Sequence, residues 1–280
     1  MLRRLVPILI VAICLDGIIS VQSAEAQLPN VQREFYEGRR RLEGDRVTFC
    51  ISGRSHILGV EKGIGRELAA ILLLDVDFFV LSATSRFTEE SFYEQLFILL
   101  HDECDAFMGV NLAADFLPDW LTVTQAYLRA PYVLAHLDTY KGLNDIPRDR
   151  FVGSQAFSRA DHYFIAYLQN LPVERRWRRL PYDSVDMMVR HLLEQRIAAG
   201  IVWAPALYAV THGDPTSKGI EVSSLTPLPD IEASVGMVLQ ARDVFLRDQL
   251  DAAISELVRE QIIDDILRRK GIRVGSGWYP

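Results

Sequence analysis

The chain has 280 residues, of which 49% are hydrophobic and 24% charged, and its formal net charge at pH 7 is −7. This composition is that of a globular protein and excludes a disordered tail, a collagen-like rod and a polytopic membrane protein. Because no long basic run accompanies the negative net charge, the sequence offers no electrostatic basis for nucleic-acid binding.

The N-terminus predicts a secretory signal peptide over residues 1–26. Arg3 and Arg4 precede a short apolar run, and the small residues Ala24 and Ala26 mark a cleavage site after Ala26. The apolar run is shorter than the roughly 20 residues that a membrane-spanning helix needs. We therefore expect an exported, periplasmic protein that is not embedded in the membrane after cleavage and that begins with a polar leader at 27–45.

From residue 46 onwards, predicted strands and helices alternate. The first region contains strands at 47–51, 77–82 and 105–110, with helices at 64–74 and 89–100 and a turn-rich segment at 52–63. The second region contains strands at 151–154, 200–203 and 219–225, helices at 160–170, 184–196 and 205–211, and one or two C-terminal helices within 242–269. This order predicts an α/β fold with mostly parallel, wound sheets.

Two cysteines remain once Cys14 leaves with the signal peptide. Cys50 ends one apolar, strand-like run and Cys104 immediately precedes another. An even pair in an oxidising compartment favours a disulfide if these two strands lie side by side. The alternative is a zinc site that adds His56 and His101, although the spacing fits no known closed-site pattern.

No catalytic or cofactor motif is complete. The glycines Gly59, Gly63 and Gly65 lack the spacing of a dinucleotide-binding or phosphate-binding loop, and we predict no cofactor. Ser55 and His56 are adjacent without a nucleophile motif around them, and the histidines form no metal-binding cluster, so we predict no enzymatic activity. Ser158 precedes a predicted helix whose N-terminus could bind an anion. Capping of that helix by Ser158, with Asp161 three residues later, explains the same residues without a ligand.

Several motifs, taken in order, resemble those of bacterial family 3 solute-binding proteins. They are Gly63-Ile64-Gly65-Arg66-Glu67-Leu68-Ala69, Cys104-Asp105-Ala106, Tyr127 to Leu134, Gln195 to Val202 and Ile263-Asp264-Asp265-Ile266-Leu267. The resemblance spans nearly the whole exported chain. It implies a two-lobed, type II periplasmic-binding-protein-like fold, in which each lobe is a wound mixed sheet with flanking helices and the lobes close about a hinge. Lobe 1 would comprise 46–133 plus 236–280, and lobe 2 would comprise 134–235.

The charged anchors that this family uses for amino acids are missing. In the family, an Arg after the "D-A" strand clamps the ligand carboxylate and an Asp after the "A-I-V" strand holds the ammonium. Here 111–118 contain no Arg, and Trp203 occupies the Asp position. We therefore expect a small solute other than a standard amino acid. The residues that the resemblance implies for the cleft are Tyr127, Arg129, Tyr132, Gln155, Ser158 and Trp203.

Trp203 has two interpretations. It could stack on a planar ligand such as a quinone, or it could plug a cleft that has lost its solute. The sequence does not decide between them.

The paired cysteines and Ile201-Val202-Trp203-Ala204-Pro205 resemble the J-type (MoxJ/XoxJ-like) proteins, which are periplasmic accessory proteins of quinoprotein, PQQ-dependent methanol dehydrogenases. This resemblance implies an accessory role, with a quinoprotein alcohol dehydrogenase or its cytochrome c as partner. The chain departs from the J-type pattern at 51–56 and 125–130, as a divergent member would. The alternative is the substrate-binding component of an ABC importer, with an ABC permease as partner.

Overall fold

The computed structural model describes residues 44–82, 89–112 and 117–272. The predicted signal peptide and nearly all of the predicted polar leader lie outside these residues. Among the helices that the structure describes, none combines the length and the apolar character that crossing a membrane requires.

The described residues form ten strands. They are β1 (Arg46–Ser52), β2 (Asp75–Leu81), β3 (Ala106–Asn111), β4 (Leu121–Val123), β5 (Leu128–His136), β6 (Phe151–Gln155), β7 (Arg178–Tyr182), β8 (Ala199–Trp203), β9 (Glu221–Ser223) and β10 (Glu232–Gln240). The main strand order is β2-β1-β3-β10-β5-β8-β6-β7, with β4 also on β10 and β9 also on β5. Parallel pairs at both ends of this order flank antiparallel pairs at its centre, so the sheet is mixed.

Seven α-helices of the described residues pack on the sheet. They are α1 (Leu58–Ile71), α2 (Glu89–Asp102), α3 (Arg159–Gln169), α4 (Val185–Leu193), α5 (Ala204–Thr211), α6 (Val244–Arg259) and α7 (Ile262–Arg269). The C-terminal pair α6 and α7 shares one apolar core with α1 and β1, far earlier in the chain. The last two helices that the structure describes therefore pack against elements from the first part of the chain.

Strand β5 links the two halves of the sheet because it changes partner along its length. Its first residues, 128–131, pair with β10, and its last residues, 132–136, pair with β8. We use lobe 1 for β1–β4 and β10 with their helices, and lobe 2 for β6–β9 with α3–α5. The residue boundaries that the sequence resemblance implies for the lobes stay a prediction.

The local sequence explains why lobe 1 forms these elements. The interior of β1 is nearly all buried, which is typical of a parallel strand covered on both faces. Helix α1 buries Val60, Ile64 and Leu68, spaced four residues apart on one side. It begins at Leu58, six residues before the predicted helix start, so the second half of the predicted turn-rich segment is helical.

Two short strands were not expected from the sequence. Strand β4 has three residues, too few for an alternating pattern. Strand β7 contains Arg178, Arg179 and Pro181, and these residue types normally argue against a strand. It pairs with β6 alone, and an edge strand of this kind tolerates both the proline and the charges.

The predicted disulfide between Cys50 and Cys104 is confirmed, with a Cα–Cα distance of 5.6 Å. The prediction required that the two strands lie side by side, and they do, because β1 and β3 pair in parallel with Phe49 opposite Ala106. Both sulfur atoms are used in this bond, so the zinc alternative is wrong. Within the part of the chain that the structure describes, no other group of residues could hold a metal ion.

Candidate ligand-binding cleft

A cleft of about 1330 Å³ lies where the two lobes meet. On the lobe 1 side it is lined by the loop after β1 and by the middle of β3. On the lobe 2 side it is lined by the end of β6, the first residue of α3 and the end of β8. The carboxyl ends of parallel strands in both lobes thus open into one space, which is where ligands bind in open α/β sheets.

Four of the six predicted cleft residues lie on its wall: Tyr132, Gln155, Ser158 and Trp203. They come from β5, β6, the residue preceding α3, and β8. The fold therefore brings together residues up to 71 positions apart in the sequence. Tyr127 and Arg129 are not among the residues that form the wall.

Tyr127 lies fully buried behind the lobe 1 wall. Its hydroxyl accepts a hydrogen bond of 3.0 Å from the backbone N–H of Gly109 on β3. Burial raises the pKa of Tyr127 well above its ordinary value, and the nearby Glu61 adds to this effect. Arg129 lies on β5 opposite Ser234 of β10 and is half-buried. Tyr127 therefore supports the wall without facing the cleft.

Trp203 is held at the junction of the lobes. Its indole N–H donates a hydrogen bond to the backbone carbonyl of Ala130, 3.1 Å away. One part of the ring packs on the apolar cores and another part faces the cleft. The anchored ring thus forms part of the wall and is positioned to contact a ligand there.

Ser158 caps helix α3, as the capping interpretation predicted. Its hydroxyl accepts a hydrogen bond of 3.1 Å from the backbone N–H of Asp161. Burial raises the pKa of Tyr132 to about 12, and a hydrogen bond with the Ser158 side chain opposes this shift. The Ser158 hydroxyl is thus engaged with both the helix and the cleft wall.

A buried carboxylate supports the lobe 2 wall from behind. Asp161 accepts hydrogen bonds from Arg179 Nε at 2.6 Å and Nη2 at 2.7 Å, and from Ser154 Oγ at 2.6 Å. It also accepts one from the backbone N–H of Phe157, at 3.3 Å. Burial acts to raise the pKa of Asp161, but these bonds outweigh it and the pKa is lowered. Asp161 therefore stays ionised and fixes the loop that carries Phe157.

Phe157 is the most exposed aromatic residue of the cleft wall. Its side chain is 76% exposed, and its backbone adopts the left-handed conformation with φ 62°. This conformation is unfavourable for a residue with a side chain, so the surrounding contacts have to hold it. The loop thus keeps an apolar ring on the cleft surface.

Polar side-chain contacts among the described residues also connect loops and helices of the two lobes. His56 Nδ1 in the loop after β1 lies 3.9 Å from Asp186 Oδ2 in the first turn of α4. Burial lowers the pKa of His56, while Asp186 acts to raise it. Arg159 on α3 donates to the backbone carbonyl of Glu232 on β10, at 3.3 Å. Both contacts join residues of the two lobes in the arrangement seen here.

Glu61 is a cleft residue that the sequence analysis missed. Its side chain is 1% exposed, lines the cleft from α1, and has one oxygen, Oε2, without a hydrogen-bond partner. A signal was present, because Glu61 occupies the same helical face as Ile64 and Leu68. Because the predicted helix began at residue 64, Glu61 fell in the predicted turn-rich segment, where a glutamate is normally exposed to solvent.

Solved structures of two-lobed binding proteins resemble this chain. The arginine-bound substrate-binding protein AbpA of an amino acid ABC transporter from Streptococcus pneumoniae is 14% identical, with a TM-score of 0.58 over 82% of this chain and 97% of its own. The unliganded, open L-cystine solute receptor of Neisseria gonorrhoeae is 16% identical, with a TM-score of 0.59 over 82% and 95%. The VFT2 domain of Bordetella pertussis BvgS (a double mutant) is 16% identical, with a TM-score of 0.58 over 81% and 93%.

No protein-family model and no curated protein sequence matches the chain. At 14–16% identity, the structural likeness shows the fold alone. The predicted two-lobed periplasmic-binding-protein fold is thereby confirmed. Its structural neighbours include family 3 solute-binding proteins, which are binding components and not enzymes.

Proposed function

We propose that this protein is a periplasmic solute-binding protein that closes on a small organic solute and presents it to an ABC permease. The observation that carries the proposal is the cleft of about 1330 Å³ between the lobes, at the point where β5 passes from one to the other. Structural neighbours that are substrate-binding proteins of ABC transporters support it. A signal peptide at residues 1–26, as the sequence predicts, would deliver the chain to the compartment where such proteins act.

The ligand is expected to differ from the amino acids bound by the neighbours. The position where the family carries the ammonium-binding Asp is Trp203, and its indole N–H is already used by Ala130. The wall instead carries aromatic rings from Tyr132, Phe157 and Trp203. These rings favour a solute with an apolar or planar part.

The test is ligand binding by the full chain, expressed with its own N-terminal segment and purified from the periplasm of the host. A panel of amines, carboxylates, sugars and aromatic solutes would be screened by thermal shift, and hits measured by small-angle scattering. We expect at least one hit that also decreases the radius of gyration. Gln155→Ala, on the wall, should weaken its binding, whereas Gln169→Ala, exposed at the end of α3, should not. Absence of any hit would overturn the proposal.

The second candidate is the accessory role implied by the J-type resemblance. The disulfide between Cys50 and Cys104, together with Trp203-Ala204-Pro205 at the junction of β8 and α5, favours it, because these features carried that resemblance. A pull-down with tagged protein from periplasmic and membrane extracts of alcohol-grown cells separates the two. Retention of a quinoprotein alcohol dehydrogenase or its cytochrome c supports the accessory role, and retention of an ABC permease supports transport.

A further inference from the structure

Glu61 is a buried acid on the cleft wall, and no cationic side chain of the described residues pairs with it. It lies on α1 among residues of the lobe 1 core, and its Oε2 atom makes no hydrogen bond. Within the described residues it forms no ion pair. A buried carboxylate without a cationic partner is unfavourable in a folded protein, which is why such groups are normally paired.

The backbone around Glu61 is shaped to hold this carboxylate at the wall. Gly109 adopts a positive φ of 83°, and a methyl group added there would overlap Glu61 Oε1. The Tyr127 hydroxyl accepts a hydrogen bond from the N–H of the same glycine. The carboxylate therefore fills the space that Gly109 leaves open, with its second oxygen unpartnered beside the cleft.

No metal ion is indicated as the missing partner. One carboxylate does not make a metal site, and the described residues contain no cluster of three metal-ligating side chains. The aromatic rings of Phe157 and Trp203 line the same cleft. Aromatic faces and a carboxylate together are suited to an organic cation, which needs both a hydrogen-bond acceptor and apolar contact.

We propose that the solute of this cleft carries a protonated amine or guanidinium group, and that this group donates a hydrogen bond to Oε2 of Glu61. The proposal rests on the proposed function, because it names the chemical class of the solute that the cleft binds. The bound cation supplies the charged hydrogen-bond donor that Glu61 lacks, and the aromatic rings of the wall contact the rest of the solute.

Cation binding should be coupled to release of a proton. Burial raises the pKa of free Glu61 to about 7, and hydrogen bonding by the Ser55 side chain opposes this shift. Tyr127 is close enough to Glu61 for the two groups to interact electrostatically, and Arg54 and His56 lie in the neighbouring loop on the cleft wall. A bound cation favours the ionised acid, so binding should strengthen as the pH rises from 6 to 8.

The experiment uses the full chain and four probes: phenethylamine, phenylguanidine, the neutral phenethyl alcohol and the anionic phenylpropionate. Only the two cations should raise the melting temperature, and more at pH 8 than at pH 6. Glu61→Gln should weaken cation binding by about tenfold or more, because a hydrogen bond to a charged group is lost. Glu67→Gln, on the same helix but away from the cleft wall, is the matched control and should bind as the unaltered chain does.

Calorimetry on the unaltered chain measures proton release on cation binding and does not require that Glu61→Gln fold. Titrations at pH 7 in phosphate and HEPES, whose ionisation enthalpies differ and neither of which carries a net positive charge, should show release of a fraction of one proton per cation bound. Equal stabilisation by the alcohol or the anion, equal cation binding by Glu61→Gln, or no stabilisation by either cation would overturn the inference. If a solute of another class bound and closed the lobes, the cation inference would fail and the proposed function would still stand. Both would fail if no solute closed the lobes.

Discussion

The indole N–H of Trp203 donates a hydrogen bond to the backbone carbonyl of Ala130 at a distance of 3.1 Å. Trp203 ends β8 in lobe 2, whereas Ala130 lies in the part of β5 that pairs with β10 of lobe 1. One side chain therefore links the two lobes at the strand they share. Because the same ring faces the cleft, it should report on what binds there.

Trp203→Phe should remove the change in tryptophan fluorescence that follows ligand binding. It should also lower the free energy of unfolding by about 1 kcal/mol, since a hydrogen bond is lost and most of the ring is kept. Trp177→Phe is the matched control. Trp177 donates a similar hydrogen bond to the carbonyl of Ile146 but is buried in the lobe 2 core. A ligand-dependent signal that survives in Trp203→Phe would contradict this assignment.

Asp161→Asn should destabilise the protein by about 3–5 kcal/mol at neutral pH, because Arg179 loses its buried ionic partner. The lowered pKa of Asp161 sets the pH dependence. Its contribution is fully present above the ordinary value of 3.8 and is lost as the pH falls through the lower folded-state value. Urea unfolding should therefore show a difference between the variant and the unaltered chain that is large at pH 7 and shrinks at pH 3.

The matched control for that measurement is Asp77→Asn. Asp77 forms an ion pair of 2.9 Å with Arg46, but both side chains are exposed. Such pairs contribute about 0–1 kcal/mol, so the control should change stability little at either pH. A loss as large as that of Asp161→Asn would mean that burial does not explain the difference between the two acids.

Some features followed from the sequence because local chemistry determines them. The Ser158 cap needs only a hydroxyl and the backbone three residues later, and the disulfide needs two apolar strands that pair. Local sequence does not determine whether a strand residue faces the cleft, because that depends on how its strand pairs with the neighbouring strands. Tyr132 lines the cleft, whereas Tyr127 is buried behind the wall, where its hydroxyl accepts a hydrogen bond from the backbone N–H of Gly109. No local pattern records that bond.

Removing the disulfide by changing both Cys50 and Cys104 to Ser should lower the free energy of unfolding by about 4 kcal/mol in the chain-entropy model. The estimate uses the separation of 54 residues between the two cysteines. Both cysteines lie in an apolar cluster with α2, and neither of them lines the cleft wall, so ligand affinity should be retained in the folded variant. Urea unfolding and calorimetry check the two parts separately.

Reduction of the unaltered chain is the control for that variant. Dithiothreitol should bring its unfolding midpoint close to that of the double serine variant and leave the variant itself unchanged. If the folded double variant bound ligand much more weakly than the unaltered chain, the assumed independence of disulfide and cleft would be wrong.

Glu61 should make the ligand-free protein less stable as the pH rises. Its raised pKa means that the folded chain keeps a proton that the unfolded chain has already released above about 4.5. The stability it contributes is therefore full below pH 4.5 and lost as the pH rises through 7. A shift from 4.5 to about 7 corresponds to about 3 kcal/mol.

Glu61→Gln removes this dependence and should be more stable than the unaltered chain at pH 8. The lowered pKa of His56 acts in the opposite direction, because its contribution is lost as the pH falls. The difference between variant and unaltered chain at each pH cancels that contribution and isolates Glu61. Urea unfolding from pH 5 to pH 8 measures it, with Glu67→Gln beside it as control. A difference that does not change with pH would show that Glu61 is already paired in the ligand-free protein.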